Sequence, residues 1–261
     1  MKKYLFAKII KPALYFMAGM LILLGVWALV ARGTKNEIPS PLATFKVFKE
    51  VMQDPMHNDP DSKGIGIKLL SSLGRVGIGF GLGSLLAIPL GLVMGGSKII
   101  MKIMNPVVQI LRPVSPLAWF PLGLAIFQDS PKASIFMIFI CCLWPTLINT
   151  SFGVAHIPQD HKNVGKAFGF SAWKYIAKIM LPFSLPHIIT GLRLSIGVAW
   201  MVIVAGEMLS GGIGLGNFVW EEGFNGGSTA KILVAIIIIG IVGLLFDKVF
   251  TLLQRRFTYS V

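Results

Sequence analysis

Asn163 to Pro182 reads N-V-G-K-A-F-G-F-S-A-W-K-Y-I-A-K-I-M-L-P, a basic, helix-forming segment held between two long apolar runs. Lys166, Trp173, Lys174 and Lys178 give it a basic side, and Val164, Phe168, Ile176 and Ile179 an apolar one. Gly169 lets the chain turn sharply between two short helices. Pro182 and Pro186 are expected to stop the second helix and start a new one. Ser171 is positioned to cap the helix after the turn. Two readings fit this pattern: a helix lying on anionic lipid, or a protruding helix on which a protein in the water docks.

The flanks of this segment are strongly apolar. Hydrophobic residues make up 54% of the 261-residue chain and charged residues only 13%, about half the charged share of ordinary soluble domains. Crossing a membrane takes about 20 mostly apolar residues. Six runs qualify: Pro12–Ala31, Arg75–Gly95, Asn105–Phe127 (interrupted by Pro113, Pro116 and Pro121), Ala133–Phe152, Ile188–Leu209 and Ile232–Leu253. The first reads as a retained anchor, not a signal peptide, because it is long and lacks a clean cleavage site. A polar segment, Arg32–Gly66, follows it, with a short helix expected near Ala43–Gln53. The fold class is therefore all-α and polytopic.

The net charge of +13 does not point to nucleic acid, because the basic residues sit in short clusters between apolar runs. With the N-terminus inside, the cytoplasmic pieces hold thirteen bases against two acids, Asp160 and Asp247. The other side holds seven bases against nine acids. The positive-inside rule then places both termini and the Asn163 loop in the cytoplasm.

Several chemistries are absent from the sequence. No G-x(4)-G-K-[ST] occurs, so the chain supplies no P-loop of its own. Gly211, Gly212, Gly214 and Gly216 follow an apolar run, not a strand, and lack dinucleotide-loop spacing; they read as a turn over the outer mouth, with Trp220 at the interface. His57, His156, His161 and His187 are scattered without metal spacing, and Cys141 and Cys142, adjacent within an apolar run, read as buried thiols. No cluster of Ser, His and acid suggests catalysis, and no metal site is expected.

Charges inside spans are costly and normally face the bundle interior. Arg112 and Arg193 either line the inner part of a path for a small anion, or snorkel and cap carbonyls freed by nearby prolines. Arg75 and Glu207 lie at similar depth and are candidates for an outer ion pair. Gly79-x-x-x-Gly83 fits close packing of helices through small residues.

The spacing Gly169, nine residues, Ile179-x-Leu181-Pro182 resembles the cytoplasmic loop signature of ABC importer membrane subunits, E-A-A-x(3)-G-x(9)-I-x-L-P. Asn163, Val164 and Gly165 stand in place of E-A-A, and Lys166, Ala167 and Phe168 fill the variable positions. The resemblance extends over about Lys68 to Phe250. Ser71–Phe80 (S-S-L-G-R-V-G-I-G-F) and Leu111–Leu122 (L-R-P-V-S-P-L-A-W-F-P-L) are similar to the nitrate/sulfonate/taurine branch. Ala205–Glu222 (A-G-E-M-L-S-G-G-I-G-L-G-N-F-V-W-E-E) is most similar to nitrate permease subunits, although bicarbonate and cyanate relatives share much of it.

The resemblance implies a type I importer permease fold in a bacterial inner membrane. It comprises an N-terminal helix and outside segment (1–66), a five-helix transmembrane domain (67–255, coupling loop about 153–187) and a cytoplasmic tail (256–261). It implies that the helix before Gly169 is a coupling helix seated in a groove of an ATP-hydrolysing subunit, with Phe168 as its apolar plug. The implied partners are two ABC ATPases that use ATP and Mg, a second permease copy and an extracytoplasmic anion-binding protein or domain. The chain itself would bind no cofactor and catalyse no bond change. Nitrate or nitrite is the expected cargo, with bicarbonate, cyanate or taurine as alternatives. A stand-alone anion channel or secondary transporter is the reading from a different class.

Overall fold

The computed structural model describes residues 11–35, 37–59, 62–224 and 227–257. Lys2, Lys3 and Lys8 of the N-terminal basic cluster, Asp61, and residues 258–261 of the tail lie outside the described residues. The described chain is helical apart from its connections: α1 (Lys11–Gly33), α2 (Pro41–Val51), α3 (Ile65–Gly96), α4 (Lys98–Leu111), α5 (Pro116–Phe127), α6 (Ser130–Ala155), α7 (Gln159–Ala167), α8 (Ala172–Tyr175), a π-helical turn (Ile176–Met180), α9 (Leu181–Ser210), α10 (Leu215–Phe224) and α11 (Thr229–Phe257). Five helical segments are long and apolar enough to cross a membrane; the bent pair α4–α5 makes a sixth if counted as one span.

Short polar residues start several helices by accepting orphan backbone N–H groups. Ser40 accepts from Ala43, Ser97 from Ile100 and Asp129 from Lys132. The short helix expected near Ala43–Gln53 is α2.

Helix α6 is the centre of the bundle, packed against α3 on one side and α9 on the other. The α3 contact is a stripe of small residues four apart, Gly79, Gly83, Ala87, Gly91 and Gly95, which lets two backbones approach closely. A Cβ on Gly79 would lie 2.7 Å from Ile138 Cβ, one on Gly83 2.9 Å from the Phe139 carbonyl, and one on Gly91 2.6 Å from Thr150 Cβ. Gly74, Gly77 and Gly81 face nothing within 4 Å, so only part of the glycine run serves this contact. Gly91→Leu is therefore expected to destabilise by about 1–3 kcal/mol, as overpacked cores do, whereas Gly77→Leu is tolerated. Thermal unfolding of both variants in detergent compares them directly.

On the other side of α6, Ser195 donates to the Cys142 carbonyl at 2.6 Å and bonds Thr146 at 2.8 Å. Gly191 brings α9 onto Thr146. Trp200 donates to the Ile239 carbonyl of α11 at 2.8 Å. Cys141 and Cys142 are both buried and unbridged.

Three sequence-based boundaries change. The span expected to start at Arg75 begins ten residues earlier, at Ile65, so the domain boundary drawn after Gly66 falls inside α3. Lys68, Ser71 and Ser72, in the added turns, each find a partner across the fold, in Glu221, the Ile213 carbonyl and Glu207. The run Asn105–Phe127 is two helices, starting at Lys98 and meeting at 95°. Their break falls between Pro113 and Pro116, where Ser115 is pushed to extended backbone (φ −54°, ψ 132°). Pro121 remains inside α5. Finally, Pro182 and Pro186 do not stop the helix. It continues from Ala172 to Ser210 because the π-turn, in which Leu181 N–H reaches back to Ile176, widens the coil just before Pro182. A proline ring in an unbroken α-helix would meet the carbonyl four residues back.

Candidate functional site

At one end of the bundle, α7 projects as a short polar helix. Asp160 in its first turn and Lys166 in its last suit the helix dipole. It ends in a complete left-handed cap: Gly169 has φ +60°, its N–H bonds the Lys166 carbonyl at 3.1 Å, and Phe170 N–H bonds the Gly165 carbonyl at 2.9 Å. Ser171 then accepts from Lys174 N–H to start α8.

Gly165 is buried on Tyr175 and Ile179; a Cβ there would lie 2.9 Å from Tyr175 Cδ2 and 3.1 Å from Ile179 Cδ1. A small residue at this position is what allows α7 to lie against the base of the long helix. Ile179 is buried beneath it.

The apolar side expected from sequence is thus divided. Ile179 faces inward, while Val164 (47% exposed) and Phe168 (73%) face out, as does Trp173 (79%). Asn163, Lys166 and Ala167 are also exposed, and Asn163 accepts from Gln159 at 3.2 Å. Leu181 and Pro182 open α9. Lys174 lies 4.5 Å over the Phe170 ring, beside a groove of about 500 Å³ lined by Gln159, Lys162, Lys166, Gly169, Phe170 and Tyr175. The result is a fixed protrusion with an apolar tip and a basic flank.

At the opposite end, the fully buried Glu207 organises α3, α9 and α10. Arg75 Nη1 is 2.7 Å from its Oε1, Ser72 Oγ is 2.8 Å from both carboxylate oxygens, and Gly216 N–H donates to Oε2 at 3.0 Å. Ser72 also accepts Leu215 N–H at 3.1 Å. The glycine run serves this closure. Gly211 and Gly212 have positive φ, a Cβ on Gly214 would strike the carboxylate, and one on Gly216 the Val204 carbonyl. The turn leads into a ten-residue helix, α10, which the sequence reading did not resolve, with Trp220 stacked on Phe224.

Beside it, Lys68 pairs with Glu221 (3.3 Å) and Lys231 with Glu222 (2.9 Å) around a cavity of about 640 Å³. Sequence reasoning missed Ser72 and these two pairs. Glu221 and Glu222, in the same short helix as Trp220, were the available signal.

Arg112 and Arg193 sit in different settings. Arg193 bonds Asp247 Oδ1 from Nη2 at 2.7 Å and from Nε at 2.8 Å, and Gln254 at 3.2 Å, tying α9 to α11. Its charge is met within the subunit. Arg112 lies exposed at the end of α4, at the break before α5. Among the described residues it has no ion-pair partner, and no group of three or more His, Cys, Asp or Glu could hold a metal.

Comparison with known proteins agrees with this architecture. Residues 87–259 match the family described as binding-protein-dependent transport system inner membrane component. The nitrate import permease protein NrtB of Synechocystis sp. is 38% identical over 95% of this chain and 88% of its own length. The bicarbonate transport system permease protein CmpB of Synechococcus elongatus is also 38% identical, over 92% and 87%. Among solved structures, the inward-facing MetNI methionine ABC transporter aligns with TM-score 0.61 at 17% identity, covering 74% of this chain and 95% of that one. A bacterial alginate importer aligns with TM-score 0.60 at 16% identity, covering 94% and 96%. These two show the shared fold. The chain belongs to the binding-protein-dependent transport inner membrane component family and is an ABC importer permease.

Proposed function

We propose that this permease moves a small inorganic anion, nitrate or nitrite, into the cell under the control of two partner ATPases. The observation that carries the coupling is the fixed protrusion. α7 is closed by the Gly169 cap and seated through Gly165 on a helix that runs unbroken into the membrane. A partner gripping the exposed Phe168 and Val164 would move the span itself. The charge asymmetry of the loops supports placing both termini and α7 in the cytoplasm. A second copy of the chain would supply the other half of the pathway, and an outside anion-binding protein or domain would deliver cargo at the Glu207 end. Closure of the ATPases on ATP and Mg would turn the gate outward, and hydrolysis would reset it.

Nitrate is the favoured cargo because of the likeness of Ala205–Glu222 to nitrate permease subunits, together with the similarity to nitrate import permeases over nearly the whole chain. The test is reconstitution of the full complex in vesicles, with uptake and ATP hydrolysis measured against nitrate, nitrite, bicarbonate, cyanate and taurine. Nitrate or nitrite is expected to stimulate hydrolysis several-fold and to accumulate inside. Stimulation by bicarbonate or taurine alone would overturn the choice of cargo.

A further inference from the structure

Helix α4 has three distinct faces. Ile100, Met101, Met104 and Val108 pack on α3 and α6. Ile99, Ile103 and Ile110 are apolar and exposed, as a lipid-facing surface requires. The third face is polar: Lys98, Lys102, Asn105, Gln109 and Arg112 follow one another at spacings of four, three, four and three, so they line a single side of the helix. All five are exposed.

Polar side chains and an irregular backbone within a span must face protein or water, never hydrocarbon. The break at residues 112–115 and the stripe leading to it share this demand. The other two arginines within spans meet it with carboxylates, Arg75 with Glu207 and Arg193 with Asp247. Arg112 has no such partner among the described residues, and from Ile65 to Phe127 the chain contains neither Asp nor Glu. Asp129, the one acid between Ile65 and Gln159, caps the far end of α6 beyond α5. Asn105, Gln109 and Arg112 instead edge a groove of about 480 Å³ whose floor is Val108, Pro113 and Ile148. Amide and guanidinium donors over an apolar floor, with no carboxylate, suit a partly dehydrated anion. The planar guanidinium fork matches a planar oxyanion in two-point contact.

We propose that the α4 stripe is the inner half of the anion route, with Arg112 as the binding step at the bend and Lys98 and Lys102 as a basic exit mouth that draws the anion onward. This assignment rests on the reading of the protein as an anion importer.

The test uses the full complex in vesicles and single cysteines at Asn105, Gln109 and Arg112, with Ile103→Cys as the lipid-facing control. Native Cys141 and Cys142 are buried. Charged, water-soluble thiol reagents are expected to modify all three stripe positions and to react with I103C at least tenfold more slowly, and nitrate is expected to slow the reaction at 109, where Arg112 is intact. In transport, Arg112→Gln is expected to raise the KM for nitrate at least tenfold in complexes that still co-purify with the ATPase, and Arg112→Lys, which keeps the charge but not the two-point fork, to recover only part of the loss. Labelling that stops after Asn105 would mean that water does not reach the bend and would overturn the route. An unchanged KM in R112Q would overturn the binding step. A wild-type complex that imports none of the anions would overturn the proposed cargo and this binding step together. Labelling at all three positions would then still support a water-filled route.

Discussion

Glu207→Ala is expected to remove about 3–5 kcal/mol of stability, the range for deleting one member of a buried ion pair. The carboxylate is fully buried and accepts from Arg75 and Ser72 of α3 and from Gly216 of α10. Its loss leaves Arg75, only 12% exposed, without a counter-charge, and leaves the Gly216 N–H unpaired. The cost arises from stranding those groups, so the cure is specific. Replacing Arg75 and Glu207 together with methionine removes both charges and recovers a large part of the loss, since buried pairs exchange with well-packed apolar residues at little net cost. Recovery stays incomplete because the Gly216 N–H still lacks its acceptor, whereas Ser72 can turn to the Lys68 carbonyl at 3.1 Å. Thermal unfolding in detergent, compared across the two single variants and the double, reads this directly. A double variant no more stable than E207A would sink the account.

Phe168→Asp is expected to abolish ATPase co-purification while the permease itself melts normally. Phe168 is 73% exposed at the tip of α7 and contributes little to the bundle. Exposed aromatics that seat in a partner's pocket commonly contribute at least about 2 kcal/mol each. That corresponds to roughly thirtyfold in Kd, and a buried charge adds to the loss. Lys178→Ala, altering a residue exposed on the π-turn beside the protrusion, serves as the comparison, because exposed charges at the edge of an interface contribute little. Full recovery of the ATPase with F168D would remove Phe168 as the anchor.

Much of this was legible because the bilayer imposes a simple grammar: each apolar run of sufficient length is a helix. Gly169 and Ser171 were readable for the same kind of reason, since few residues turn left-handed or cap a helix. Proline was harder. Pro113 and Pro116 break the third span, yet Pro106, Pro121 and Pro186 sit inside helices. What decides is whether the neighbouring coil can widen or the preceding residue can extend, and that is a property of the surroundings. The early start of α3 was hidden because Lys68 and Ser72 are satisfied by Glu221 and Glu207, more than 130 residues away. The difference between Arg112 and Arg193 was likewise invisible, since Asp247 lies 54 residues from Arg193.

The passage of the helix through Pro182 has a mechanical consequence. From Ala172 to Ser210 it is a rod of 39 residues, about 58 Å long at 1.5 Å per residue. A rod of that length is a gear with a favourable ratio: a tilt of only about 10° carries one tip about 10 Å relative to the other, given the helical rise. That exceeds the breadth of a small oxyanion. In the proposed coupling, a slight twist of the near tip by a partner in the water would be enough to swing the tip that carries Glu207 through the width of a doorway.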